Sequence, residues 1–266
     1  MPNPRLIEIA KRLGRTDLPI PPIEEETASS TAGSFSLGFS LEDKLNFWRF
    51  SNINYKNGIY QVDLAKSLLD NGNSKTQDEW IEYSRQAQRN NDFYLADFPL
   101  YFAVKLSLYE NRNHSKYKDK IQEAKEFIKK NMFDYWLMTS TRVQYKKQGK
   151  DTIIHDYGLP DQYEIQENFV EIDGFIANPK TKAQPALNAL LNLPTITPKE
   201  VNDVYKWLTE KDAYLIRVNS KSDTERVAWF GADSGWADLG CGGYPGGSYS
   251  SLGVKFAPQA RAAKIR

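Results

Sequence analysis

Three polar residues of one predicted strand have side chains suited to acid–base catalysis. Asp151, His155 and Asp156 lie within the segment DTIIHDYG, and histidine is the side chain that enzymes use most often for proton transfer. Adjacent residues of a strand point to opposite faces of its sheet, so His155 and Asp156 cannot form a direct relay. We therefore interpret His155 as a structural histidine, and a hydrolase or transferase site at these three residues stands as the enzymatic alternative.

Residues 226–256 have instead the composition of a binding surface. Their sequence, RVAWFGADSGWADLGCGGYPGGSYSSLGVKF, alternates with a period of two, as strands do. One set is small or apolar and predicts a buried floor made of Ala228, Phe230, Ala232, Ala237, Leu239, Pro245, Leu252 and Val254. The other set places aromatic residues among small ones, which is typical of binding surfaces, and we expect it to face solvent. It supplies the candidate ligand-binding positions Trp229, Gly231, Asp233, Gly235, Trp236, Asp238, Gly240, Gly242, Gly243, Tyr244, Gly246, Gly247 and Tyr249.

The pattern RVAWFxAxSxxAxLxCxxxPxxSxxSLGVKF in this stretch resembles the C-terminal variable region of diversity-generating-retroelement target proteins, in particular archaeal ones. Two upstream segments, NDFYLADFPLYFAVKLSLYE at 91–110 and KDTIIHDYG at 150–158, are similar to a segment that precedes such regions. In that family a reverse transcriptase copies a template with adenine-specific errors, and the copy replaces the variable region. The resemblance implies a C-type lectin fold of the formylglycine-generating-enzyme type and a ligand-binding protein that is not an enzyme.

The residue types at the candidate positions fit adenine-specific errors. Randomising the first two bases of an AAC or AAT asparagine codon gives Gly, Asp, Tyr and Ser, but never Lys, Glu, Gln, Met or Trp. Apart from Trp229 and Trp236, every candidate position holds a residue of this reachable set, and an AGG codon randomised at its first base yields Trp. Tight turns and bulges between short strands are the structural alternative for the glycines.

Composition and periodicity divide the chain into three predicted parts with an α+β fold class. Residues 1–38 predict a short helix at 4–13, followed by an extended arm rich in Pro, Glu, Ser and Thr. Residues 39–132 predict a helical region that includes LEDKLNFWRF and YQVDLAKSLLDNG. Residues 133–266 are dense in β-branched and aromatic residues and predict the C-type-lectin-like domain, with helices at about 185–193 and after a capping box at Thr197.

Charge and residue usage argue against several partner classes. With 35 basic and 34 acidic residues the net charge is +1, which gives no reason to expect nucleic acid or an anionic membrane as the partner. We expect the ligand to be a macromolecule, and specifically a protein. The sequence has no export signal or membrane-length apolar run, so we expect a cytoplasmic or virion-associated protein. A structural or adhesive module, such as a viral fibre tip, is the remaining alternative.

The metal-ligating and redox residues are too few for a cofactor. The two histidines show no zinc-ligand spacing, and Asp233 and Asp238 with scattered serines do not fill a calcium site. Cys241 is the single cysteine, whereas formylglycine-generating enzymes, as the family is known, work through a cysteine pair. The strand phase of Cys241 matches that of Leu239, so we expect Cys241 to be a small buried side chain. Because the candidate ligand residues are so few, we expect no cofactor.

Overall fold

The computed structural model describes residues 38–169, 173–178, 180, 182–232 and 235–257. The predicted helix at 4–13 and all but the last residue of the predicted arm lie outside the described residues. The described residues belong to one contact-dense unit, Leu37–Arg266.

A four-stranded antiparallel sheet joins the two ends of the described chain. Its strands, in the order β1-β2-β3-β11, are β1 (Leu41–Asp43), β2 (Phe47–Tyr55), β3 (Gly58–Leu68) and β11 (Leu252–Phe256). The helical prediction for LEDKLNFWRF and YQVDLAKSLLDNG is therefore wrong. Trp48 and Phe50 are both buried, as are Val62 and Leu64, so the apolar period that decides the structure here is two. Because β11 pairs with β3, the predicted parts 39–132 and 133–266 share a sheet.

The second sheet is curled and has seven strands, and it contains residues 226–232 and 237–243 of the stretch predicted to bind ligand, whose last strand, β11, belongs to the first sheet. Its order is β6-β5-β4-β9-β10-β8-β7, and only the β8–β10 pair is parallel. The strands are β4 (Leu137–Tyr145), β5 (Asp151–His155), β6 (Tyr163–Glu167), β7 (Gly174–Phe175), β8 (Ala213–Ile216), β9 (Thr224–Ala232) and β10 (Ala237–Gly243). The β texture predicted after residue 132 is confirmed.

Among the residues that the structure describes, five α-helices pack against these sheets, at segments where helices are predicted. They are α1 (Gln77–Arg89), α2 (Phe98–Glu110), α3 (Lys118–Ile128), α4 (Gln184–Leu191) and α5 (Pro198–Thr209). The capping box at Thr197 is present, because its hydroxyl accepts from the Glu200 backbone N–H and the Glu200 carboxylate accepts from the Thr197 N–H. The described chain is thus mixed α+β, as predicted. None of its described helices is long and apolar enough to span a membrane.

The two faces of the seven-stranded sheet have different neighbours. On the inner face, Phe230 of β9 stacks on Phe98 of α2 with ring centroids 3.9 Å apart. On the outer face, α1 packs Trp80 into a second apolar cluster with Met138 of β4 and Val227 of β9. This second cluster covers the outer face near β4 and β9, and the candidate binding positions of β9 and β10 lie beside it. The other described candidates lie outside these strands, at residues 235–236 and 244–249.

Candidate functional site

The predicted floor of the site is formed by the inner face of β9 and β10. Ala228, Phe230, Ala237 and Leu239 are each 0% exposed, and the buried Leu252 and Val254 of β11 belong to the same core cluster. Phe230 lies directly opposite Leu239 in the antiparallel β9–β10 pair. The strand phase predicted from the sequence is confirmed, except that Ala232 and Pro245 are only half-buried.

A row of directly opposed residues crosses the outer face. Phe175 of β7 pairs with Tyr214 of β8, Tyr214 with Asp238 of β10, and Asp238 with Gly231 of β9. Opposed residues of neighbouring strands point to the same face. A Cβ atom added to Gly231 would lie 2.9 Å from Cδ1 of Trp136, so Trp136 ends the row beyond β9.

The first aromatic cluster of this face, called the Trp229 cluster below, consists of Trp136, Trp229 and Tyr249. The Trp136 ring centroid lies 5.1 Å from that of Trp229 and 6.4 Å from that of Tyr249. Tyr249 is held by the start of α1, because the Trp80 Nε1–H donates to the Tyr249 carbonyl at 2.7 Å. This contact fixes the loop after β10 beside Trp136.

The second aromatic cluster, called the Trp236 cluster below, consists of Phe175, Tyr214 and Trp236. The ring centroids of Tyr214 and Trp236 are 5.1 Å apart, and Phe175 meets Tyr214 edge-on at 5.2 Å. The Trp236 Nε1–H donates to Asp238 Oδ1 at 2.8 Å, so the carboxylate fixes the indole. The two clusters flank the opposed residues Gly231 and Asp238 of the row.

Three glycines make room for the Trp229 indole. A Cβ atom at Gly240 would lie 2.1 Å from Trp229 Cε2, one at Gly231 would lie 2.8 Å from Trp229 Cζ3, and one at Gly243 would lie 2.9 Å from Trp229 Cδ1. Contacts this short do not occur between real side chains, so a side chain at any of the three positions displaces the indole. These glycines are therefore required by the position of Trp229, and a Cβ atom at Gly243 would also lie 2.9 Å from the Val227 carbonyl oxygen.

The expectation that all candidate positions face solvent is wrong for three of them. Gly231 and Gly240 are buried under the Trp229 indole, and Asp238 is 3% exposed beside Trp236. The half-buried candidates are Trp229, Trp236, Gly242, Gly243, Gly247 and Tyr249, and the exposed ones are Gly235, Tyr244 and Gly246. Asp233 lies outside the described residues. The Trp229 indole covers Gly231 and Gly240, and a two-residue alternation in the sequence does not show which side chains are covered in this way.

Three aromatic residues of this surface, Trp136, Phe175 and Tyr214, are absent from the sequence-based candidates. Tyr214 has a usable signal, since it alternates with the buried Ala213 and Leu215 in AYLI and must face away from the core. Trp136 and Phe175 lie beside Gly231 and Tyr214 only because of the strand order, which no local pattern encodes.

Asp151 and His155, two residues of the acid–base alternative, have structural partners. The Ala189 carbonyl lies 2.9 Å from His155 Nε2 and can only accept, so Nε2 carries the proton of the neutral ring and Nδ1 accepts from the Thr141 hydroxyl at 3.0 Å. The oxygen of that hydroxyl also accepts from the Phe98 N–H, and burial lowers the His155 pKa to about 4. The Asp151 carboxylate accepts the backbone N–H groups of Lys146 and Phe169.

Asp156 follows the end of β5 and belongs to a buried polar cluster that Tyr163 links to this histidine, because the Tyr163 ring lies 4.9 Å from the His155 ring and the Tyr163 hydroxyl lies 3.4 Å from Asp97 Oδ2. The Tyr55 hydroxyl lies 2.7 Å from Asp97 Oδ2 and 3.4 Å from Asp156 Oδ2, and Lys56 Nζ lies 3.0 Å from Asp156 Oδ2. Burial and the neighbouring Asp97 carboxylate raise the pKa of Asp156 to about 7. His155 and Asp156 form no relay, because both ring nitrogens of His155 are bound by Thr141 and Ala189. The reason predicted from the sequence is wrong, since β5 ends at His155 and Asp156 lies beyond it with a positive φ of 49°.

Within the described ranges no three His, Cys, Asp or Glu side chains are grouped so that they could hold a metal ion. Comparisons with protein-family models, with curated proteins and with solved structures give no match for this chain.

Proposed function

We propose that this chain is a ligand-binding protein whose outer-face residues on β9, β10 and the following loop are diversified by a retroelement reverse transcriptase. The observation that carries the proposal is the separation of the two faces. Phe230 and Leu239 form an inner floor that is fully buried, while Trp229, Trp236 and Tyr249 are half-buried on the other side. The exposed candidates Gly235, Tyr244 and Gly246 are replaceable without loss of the core, because surface changes usually cost within about 0.5 kcal/mol.

The proposal includes a C-type-lectin-like fold of the formylglycine-generating-enzyme type. Support comes from the mixed α+β architecture, from the curled seven-stranded sheet and from the resemblance of residues 226–256 to variable regions. The single cysteine, Cys241, is fully buried in the floor, which does not suit the cysteine chemistry of that enzyme type.

A binding function is favoured over the hydrolase or transferase alternative. An acid–base site needs a polar atom that can reach substrate, but His155 is 0% exposed and both its ring nitrogens have partners within the protein. The outer face offers half-buried aromatic rings instead, and such rings are the usual anchors of protein ligands.

Sequencing of the DNA around this gene tests the proposal. We expect a reverse transcriptase gene and a near-copy of the segment that encodes 226–256, with differences at adenines. The adenine-bearing codons should correspond to exposed or half-buried positions such as Gly235 and Tyr244. The proposal is wrong if no such copy exists, or if the differences fall on the codons of floor residues such as Phe230 and Leu239. A viral fibre tip would then be the better interpretation if β9 and β10 form an oligomer contact.

A further inference from the structure

Half of the aromatic side chains that form the two clusters lie outside the stretch 226–256. Trp136 precedes β4 and is 58% exposed, Phe175 ends β7 and is 41% exposed, and Tyr214 lies in β8. If a retroelement replaces only the C-terminal stretch, these three residues stay the same in every variant.

We propose that Trp136, Phe175 and Tyr214 are constant anchors of the binding surface, and that the surface binds an apolar patch of a folded protein. This inference rests on the proposed function and adds two claims to it. Part of the site is not diversified, and the constant part provides affinity that is common to all variants, while the variable positions select the partner.

The anchors belong to the same surface as the variable positions because they touch them. Trp136 contacts the rings of Trp229 and Tyr249, and Tyr214 and Phe175 contact the ring of Trp236. The anchors therefore lie at both ends of the row that contains Gly231 and Asp238. A ligand seated on Trp229 and Trp236 reaches at least one anchor at each end.

The shape of the surface favours a macromolecule over a small molecule. Small-molecule sites are concave, whereas the aromatic rings here pack on one another across a sheet face. Two clefts of the described chain, of about 500 and 520 Å³, lie elsewhere: one is lined by α1 and the loop after β5, the other by α3. Neither is lined by a residue of the aromatic clusters.

The chemistry of the surface favours a protein over nucleic acid. The row from Phe175 to Trp136 contains no lysine or arginine, and its one carboxylate, Asp238, is 3% exposed and bound by the Trp236 indole. Nucleic-acid sites need cations for the phosphates, which this row does not supply. Trp and Tyr are enriched among the residues that dominate protein–protein affinity.

A display library provides the test. Positions 235, 242, 244, 246 and 249 are randomised in the full chain, and binders are selected against two folded probe proteins, hen egg-white lysozyme and bovine serum albumin. Trp136→Ala is then introduced into every selected clone. We expect affinity for either probe to fall about tenfold or more, because the anchor is shared. The matched control is Tyr135→Ala, which removes the exposed neighbour of Trp136 in sequence and should change affinity less than about threefold.

The outcomes separate this inference from the proposed function. If binders are obtained and Trp136→Ala leaves their affinities unchanged, the constant-anchor inference is wrong and the binding function stands. If neither probe yields binders, the binding function fails, and the inference fails with it.

Thermal unfolding of each variant shows whether the fold is intact. Trp136→Phe keeps an aromatic ring and should restore most of the lost affinity, and Tyr214→Ala repeats the test at the other cluster if Trp136→Ala unfolds.

Discussion

The indole of Trp229 occupies the space that a side chain at Gly240 would need. The two residues are opposed across the β9–β10 pair, and a Cβ atom at Gly240 would lie 2.1 Å from Trp229 Cε2. The residue types at these two positions are therefore coupled, because a large residue at 229 requires glycine at 240. A diversified surface built on this face has fewer workable combinations than independent substitution would give.

A double-mutant cycle measures this coupling. Gly240→Ala should destabilise the protein by about 1–3 kcal/mol, as overpacking in a closed space does. In the Trp229→Ala background the same change should cost much less, since the indole is gone. Urea unfolding of the four proteins gives the coupling free energy. Gly235→Ala is the control, because its Cβ would meet no atom of the described residues within 4 Å. A cycle with additive costs would contradict the arrangement.

The floor and the exposed positions should differ strongly in tolerance. Leu239→Ala removes a fully buried side chain from the core and should cost about 2–5 kcal/mol. Changing Gly235, Tyr244 and Gly246 together to Asn should change the free energy of unfolding by less than about 1 kcal/mol, because all three are exposed. Thermal melts of the two variants make the comparison. A triple variant as unstable as Leu239→Ala would show that these exposed positions are structural.

A multiple variant that also changes Gly231 or Gly243 to Asn should be clearly destabilised, unlike the triple variant. An Asn side chain at either position runs into the Trp229 indole, which lies less than 3 Å from the added Cβ. We expect Gly231→Asn to destabilise the wild-type protein and to be tolerated better after Trp229→Ala. Equal costs in both backgrounds, measured by urea unfolding, would mean that another contact limits this position.

The thiol of Cys241 should be protected in the native protein. The residue is 0% exposed in the floor of β10, and burial raises the pKa of its thiol, so little thiolate is present at neutral pH. Reaction with a thiol reagent should be slow in buffer and should accelerate in denaturant. Stoichiometric labelling of the native protein within the mixing time would contradict the buried position.

The floor of the site could be predicted from sequence because its signal is local. The two-residue alternation through Ala228, Phe230, Ala237 and Leu239 needs no knowledge of the partner strands. The segments of β1 to β3 predict helices because Leu41, Leu45 and Trp48 are spaced by four and three residues, as on one face of a helix. Strand pairing overrides this spacing, since β2 pairs with both β1 and β3, and β3 also pairs with β11 more than 180 residues later.

The covering of small residues by large ones could not be predicted. Gly240 and Asp238 alternate with Leu239 and Cys241 as exposed residues would, yet the Trp229 indole lies over Gly240, and Asp238 is buried and accepts a hydrogen bond from the Trp236 indole. The contact of Trp136 with Trp229 likewise depends on β4 being the neighbour of β9. These relationships follow from strand order, which a sequence pattern does not specify.

The pH dependence of stability should reveal two opposing buried groups. The pKa of His155 is lowered to about 4 from an ordinary value of 6.5. Its contribution to the free energy of unfolding is therefore fully present above pH 6.5 and is lost as the pH falls towards 4. The pKa of Asp156 is raised to about 7 from 3.8. Its contribution to the free energy of unfolding is therefore fully present below pH 3.8 and is lost as the pH rises through 7. Between pH 4 and 6.5 the two slopes oppose each other.

Replacing one group should therefore expose the slope of the other. Asp156→Asn keeps a residue type that tolerates the positive φ of 49° at this position and removes the carboxylate that gains a proton on folding. Relative to wild type, the variant's free energy of unfolding should rise by about 2 kcal/mol between pH 4.5 and 6.5, near the limit for one proton over two pH units. Urea unfolding of both proteins at the two pH values cancels the contributions of the other carboxylates. A difference that stays constant with pH would mean that Asp156 is already ionised in the folded protein, held by Lys56.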